Sequence, residues 1–232
     1  RHTRYWRDWS SDVCSSDLVL SNNVAPTLSV GGVSYQYSGA IVDGTVAFAL
    51  KGMSATVSDF VSLTGDVGFK KVGSQIVATG SGVTAKLAAS ADVYVQISGA
   101  SFGLVAEGSG VSRKTAFELQ AAPAANGPAL TVSLGGFASV GASSVLVQYA
   151  SGMGVVLSNN VAPTLSVGGV SYQYSGAIVD GTVAFALKGM SATVSDFVSL
   201  TGDVGFSKVG TQIVATGSGV TAKLAASADV YV

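Results

Sequence analysis

The chain has 232 residues and a net charge of −1, with 11% charged and 48% hydrophobic residues. A balance this close to neutral, with no basic cluster, argues against nucleic acid as a partner, and no apolar run of about eighteen residues or more is present to form a membrane-spanning helix. A single cysteine excludes a disulfide framework.

The first eighteen residues differ from all that follows. They hold both Trp, the only His (His2) and the only Cys (Cys14). Residues 8–18 read Asp-Trp-Ser-Ser-Asp-Val-Cys-Ser-Ser-Asp-Leu, the translation of a short-read sequencing adapter, and 1–18 as a whole resembles such a translated adapter. The resemblance implies a non-native leader without fixed structure, and it carries no apolar core that would make it a signal peptide. Residues 19–232 then contain no His, Cys or Trp, and Arg113 is their sole arginine.

Residues 20–95 recur at 157–232 with two changes in 76 positions, Lys70 to Ser207 and Ser74 to Thr211. The offset is 137 residues, long enough for one repeat to bury its own core. This self-similarity makes the chain a slice of a tandem array, with a leader at 1–18, a complete repeat at 19–155 and a truncated copy at 156–232.

In chain order, period-two alternation dominates. Val46, Phe48 and Leu50 share one face of Thr45–Lys51, and Val61, Leu63, Gly65, Val67 and Phe69 share one face of Phe60–Phe69. Gly65 leaves open either a bulge or a turn at Thr64-Gly65-Asp66. Val93, Val95 and Ile97 follow, then Leu130, Val132 and Leu134, then Val145, Val147 and Tyr149. Asp43-Gly44, copied as Asp180-Gly181, predicts a type I′ hairpin turn. Glu107–Arg113 predicts a looser hairpin, Asn126-Gly127-Pro128 another connection, and Val72-Gly73 a turn between the two substituted positions. About ten strands of six to nine residues per repeat, with no helical period, predict an all-β, antiparallel two-layer sandwich or roll repeated along an elongated array; a β-solenoid is the alternative. The truncated copy is expected to leave an apolar edge uncovered.

Without His or Cys, nucleophilic triads and zinc, haem or iron–sulfur sites have no components, and no copy of the only glutamates, Glu107 and Glu118, falls within the residues given. No catalytic, cofactor-binding or metal-binding residue is assigned. Calcium is the cofactor that oxygen ligands alone would admit, through Asp43, Asp59, Asp66 and Asp92 and their copies Asp180, Asp196, Asp203 and Asp229. Their spacing matches neither an EF-hand nor a toxin-type β-roll, and each reads as a turn former or a solvated strand residue. Gly31-Gly32 and Gly135-Gly136 are not phosphate loops, since no helix follows. Tyr35 and Tyr37, repeated as Tyr172 and Tyr174, share a strand face; this fits cross-strand packing or a glycan-stacking strip.

Gly65-Asp66-Val67-Gly68-Phe69, Gly82-Val83-Thr84-Ala85-Lys86-Leu87 and the run from Val93 through Gly99-Ala100-Ser101-Phe102-Gly103-Leu104-Val105 resemble strands in the repeats of giant, low-charge bacterial surface proteins. The resemblance implies an adhesin-like, exported, repetitive polypeptide at the cell surface or outside the cell, non-enzymatic, whose partners are neighbouring repeats and surface glycans or matrix. A repeated calcium- or glycan-binding module and an outer-membrane β-barrel are the alternatives.

Overall fold

The structure, a computed structural model, describes residues 27–30, 32–36, 45–108, 112–122, 127–152, 164–176, 178–227 and 230–231. The 1–18 leader, Tyr37, Asp43-Gly44, Asn126, Asp229 and the repeat boundary at 155–156 lie outside them. The chain divides into two compact units, 1–46 with 71–73, and 47–70 with 74–232. In the first, β1 (Thr27–Val30) and β2 (Val33–Gln36) form an antiparallel hairpin with Val30 opposite Val33.

The second unit carries nearly all of a twelve-stranded sheet. Its strands are β3 (Thr45–Val57), β4 (Val61–Val72), β5 (Gln75–Ala88), β6 (Val93–Glu107), β7 (Lys114–Ala121), β8 (Leu130–Leu134), β9 (Ala138–Ala142), β10 (Ser144–Ser151), β13 (Thr182–Val194), β14 (Val198–Val209), β15 (Gln212–Ser227) and β16 (Val230–Tyr231). Between β10 and β13 in the chain, β11 (Thr164–Val167) and β12 (Val170–Gln173) pair as a separate hairpin. The spatial order is β3-β4-β5-β6-β7-β10-β13-β14-β15-β16. The short pair β8–β9 fills the remaining space between β6 and β13, with β8 on Val93–Ile97 and β9 on Ser191–Val194.

The class is therefore all-β and antiparallel, as the alternation predicts, and every described pairing is antiparallel, unlike a β-solenoid. The sheet is not closed into a barrel: β3 stands at one end and β16 at the other. The Glu107–Arg113 segment does link a hairpin, with Glu107 opposite Lys114. The layers are unequal, one large sheet and the small β11–β12 hairpin lying on β5 and β6.

The long strands exceed the expected six to nine residues, β6 having 15 and β15 reaching 16, because bulges carry them past points where the alternation loses phase. Gly65 settles as such a bulge, not a turn. Its φ is 130°, and a Cβ there would lie 2.7 Å from Val83 Cα, a separation only glycine permits. Its copy Gly202 sits in the register break between Thr201 and Asp203. The Asp180-Gly181 turn forms between Val179 and Thr182, but the positive φ is confined to Gly181, and no paired strand enters it. The type I′ geometry appears instead at Gly168-Gly169 (φ 56° and 78°), which joins β11 to β12.

The sheet's two faces differ. One is bulky: Phe48 stacks on Phe69 with ring centroids 5.4 Å apart, and the copied pair Phe185 and Phe206 stacks at 5.7 Å. This face is half-exposed, Phe48 at 51% and Phe185 at 45%. A core cluster of Val83, Ala100, Ala121, Ala129 and Val145 draws together β5, β6, β7, β10 and the residue that precedes β8. The other face is lined by small or polar residues where the hairpin lies.

Candidate functional site

Across β4, β5, β6, β7 and β10 runs a row of Gly68, Thr79, Gly103, Glu118 and Gln148. Thr79 pairs with Gly103, Gly103 with Glu118, and Glu118 with Gln148. The missing side chains of the two glycines form a trough. A Cβ on Gly68 would stand 2.8 Å from Val167 Cβ, and one on Gly103 would stand 2.5 Å from the Tyr172 ring. The β11–β12 hairpin fills this trough with Val167, Val170 and Tyr172, while Ser166, Ser171 and Gln173 face outward. That alternation is why an isolated ten-residue hairpin presents one apolar side to the sheet. Val170 O accepts a hydrogen bond from Thr79 Oγ1 at 3.1 Å. Gly168, left-handed at the turn, meets Ala49.

At the centre lies Glu118, fully buried. Its Oε1 accepts from Gln120 Nε2 at 2.7 Å, Tyr172 Oη at 2.8 Å and Ser175 N at 2.7 Å. Its Oε2 accepts from Gln148 Nε2 at 2.7 Å and Ser175 Oγ at 2.8 Å. Gln120 Nε2 also reaches Tyr172 Oη at 3.0 Å. Alternation explains the local part of this cage, since Gln120 is two residues along the same face and Gln148 lies directly across the ladder. Tyr172 and Ser175 arrive from the hairpin.

Burial would by itself raise the Glu118 pKa, but the hydrogen bonds from Gln148, the Ser175 N–H, Tyr172 and the Ser175 hydroxyl outweigh it and hold the carboxyl below its usual range. Burial, with the adjoining carboxylate, pushes Tyr172 strongly up, and burial with the charge of Glu118 does the same to Tyr174. Five donors saturate the two oxygens, which leaves the carboxylate no free lone pair to take a proton from a substrate. Its chemistry is that of a latch.

The tyrosine pair predicted as packing or a glycan strip resolves, in the second copy, as packing. Tyr172 is 4% and Tyr174 1% exposed, and their rings meet edge to face at 5.3 Å. Neither can stack on a sugar in this state. The carboxylates considered for calcium are placed apart. Asp66 Oδ1 accepts the Gly52 N–H at 2.6 Å, Asp203 Oδ1 the Gly189 N–H at 2.7 Å, and Asp180 Oδ1 the Gly152 N–H at 2.5 Å. The first two fasten the same bulge in each copy. Asp59 and Asp196 line open clefts beside Lys86 and Lys223 respectively, and Asp92 offers its carbonyl to Gly135 N and Ser133 Oγ. Among the described residues, no three His, Cys, Asp or Glu side chains gather.

Glu118 carries no motif, and sequence reasoning noted it only as one of two glutamates. The usable signal was an acid inside an apolar strand, Phe117-Glu118-Leu119, with strand glycines at 68 and 103.

Compared with known proteins, the chain matches no family model, no curated protein and no solved structure. What the fold defines is a class, an open antiparallel sheet with a hairpin latched onto one face. The resemblance to surface-protein repeats rests on its motifs alone.

Proposed function

We propose that this chain is a non-enzymatic structural segment of a large bacterial surface or secreted protein, in which successive repeats interlock. The observation that carries this reading is the position of the second copy. Its opening hairpin lies on β4–β7 and β10 of the preceding repeat, latched by Glu118, while its strand β13 extends the preceding sheet from β10. Each repeat would thus present a trough and a carboxylate to the next repeat's hairpin, so that stability is shared between neighbours. The saturated state of Glu118 supports the non-enzymatic part of the reading. Low charge and the motif resemblance support export. Repetition would supply reach and weak multivalent contact with surface glycans or matrix.

Along the sheet path, six strands (β3, β4, β5, β6, β7 and β10) precede the copied strand β13. At about 4.8 Å per strand, each repeat adds about 29 Å. Small-angle scattering from chains of one, two and four repeats tests this. The reading expects a maximum dimension that grows by a similar increment per repeat. A dimension that levels off would mean that the sheet closes on itself, and the array reading would fall.

A further inference from the structure

The two copies of one strand have different neighbours. β3 and β13 are identical in sequence from end to end. β13 is paired on both edges, by β14 on one side and by β10 and β9 on the other. Among the described strands, β3 has a neighbour only in β4. The edge that β13 gives to β10 is open on β3, and its side chains show it. Leu50 is 46% exposed where its copy Leu187 is half-buried, Ala47 is exposed where Ala184 is half-buried, and Val57 stands at 66% against 38% for Val194.

We propose that the free edge of β3 is a docking edge for a strand with the chemistry of β10, carried by another copy of the same repeat. An unpaired edge accepts many strands through its backbone, so the argument lies in what selects one. On β13, Gln148 stands opposite Ala184, Val147 opposite Phe185 and Ser144 opposite Lys188. The same residues of β3 are Ala47, Phe48 and Lys51. On β13 the register breaks between Leu187 and Met190, at Gly189 (φ 57°), and there β10 gives way to β9. β3 bends at the same point, Gly52 having φ 61°, and the Asp66 carboxylate fastens it as Asp203 fastens Gly189. The edge of β3 thus already has the irregular form that β10 and β9 fit on β13. A one-residue slip would put Val147 on the wrong face, which makes the register a readable signature. The β1–β2 hairpin, residue for residue the same as β11–β12, is the element such a partner would latch with its own Glu118.

This inference rests on the array reading and names its joint. The test uses the full chain with Cys14→Ser and either Ala47→Cys or Phe48→Cys, mixed under mild oxidation with a Ser144–Ser151 peptide. The peptide carries Cys in place of Gln148 or of Val147, with two lysines added for solubility. Opposed residues in an antiparallel ladder are within disulfide reach in one of each two successive pairs. At least one matched combination (47 with 148, 48 with 147) is expected to cross-link about tenfold faster than both mismatched ones. Excess unmodified peptide should suppress it and a scrambled peptide should not. Cross-linking that ignores register, or none above the scrambled peptide, overturns the joint. If the scattering dimension still grows per repeat in that case, the array reading survives with a different joint; if both fail, the array reading goes too.

Discussion

Replacing Glu118 by Gln preserves the volume of the side chain and removes its charge, so it isolates what the carboxylate does. Gln148 can turn its amide and Ser175 its hydroxyl to meet the new NH2 group. The three donors on Oε1, from Gln120, Tyr172 and the Ser175 backbone, keep an acceptor but lose its charge. A hydrogen bond to a charged group contributes about 1 kcal/mol more than a neutral one, so the substitution should cost about 3 kcal/mol. Because Tyr172 and Ser175 belong to the hairpin segment, the cost should fall on the opening of that segment rather than on the whole sheet. Amide exchange followed by mass spectrometry or NMR reads it: the β11–β12 amides of E118Q should exchange about 150-fold faster, while those of β14 and β15 stay within about threefold of the parent. Glu107, exposed and opposite Lys114, provides the control, since E107Q should leave both sets unchanged. Acceleration of the hairpin below about threefold, or equal acceleration everywhere, would refute the latch.

The same site makes stability depend on pH in both directions. The folded-state pKa of Glu118 is depressed, so its contribution is complete above the unfolded value of about 4.3 and is lost as pH falls through the folded value. Tyr172 and Tyr174 are raised, so their contribution is complete below about pH 10 and is lost as pH rises toward the folded values. Urea midpoints followed by tyrosine near-UV circular dichroism should fall at both ends, and E118Q should abolish the acid limb and weaken, without removing, the alkaline one, since burial still raises both tyrosines; an unchanged acid limb contradicts the assignment. Gly68→Ala drives a Cβ into Val167 and should cost about 1–3 kcal/mol, whereas Gly205→Ala, whose only close side-chain neighbour is Thr216 Oγ1 at 2.9 Å, should cost less. Equal urea midpoints for the two variants would mean that the hairpin does not press on the trough. Ser58, left-handed at φ 48° in the turn closed by Phe60 N and Val57 O, should be relieved by Ser58→Gly, raising stability by about 0.5–1 kcal/mol; a lowered midpoint contradicts that account.

Alternation made the strands legible, because a side chain's face depends only on its immediate neighbours. Phe48 and Phe69 were readable as apolar-face residues, and they stack. Strand ends were less legible, since Gly52, Gly65 and Gly99 look like stops locally and act as bulges within continuing strands. The site was hidden for a different reason. Nothing near Glu118 in the chain says it is buried; what covers it lies 54 to 57 residues away, at Tyr172 and Ser175. The tyrosine pair was visible as a shared face, but its depth depends on Gly103, whose missing side chain admits the Tyr172 ring. The asymmetry between copies was invisible altogether, because identical sequences have different neighbours: Thr79 is fully buried, and its copy Thr216 is exposed.

The central claim, that one repeat's hairpin is held by the preceding repeat's carboxylate, is tested most directly by a double-mutant cycle between Glu118→Gln and Tyr172→Phe in the full chain. The free energies come from exchange of the β11–β12 amides. The two side chains are 2.8 Å apart in one hydrogen-bond network, so the account predicts a coupling of about 1–2 kcal/mol. A coupling below about 0.3 kcal/mol would mean that the two residues act independently, and that the repeats are not joined here.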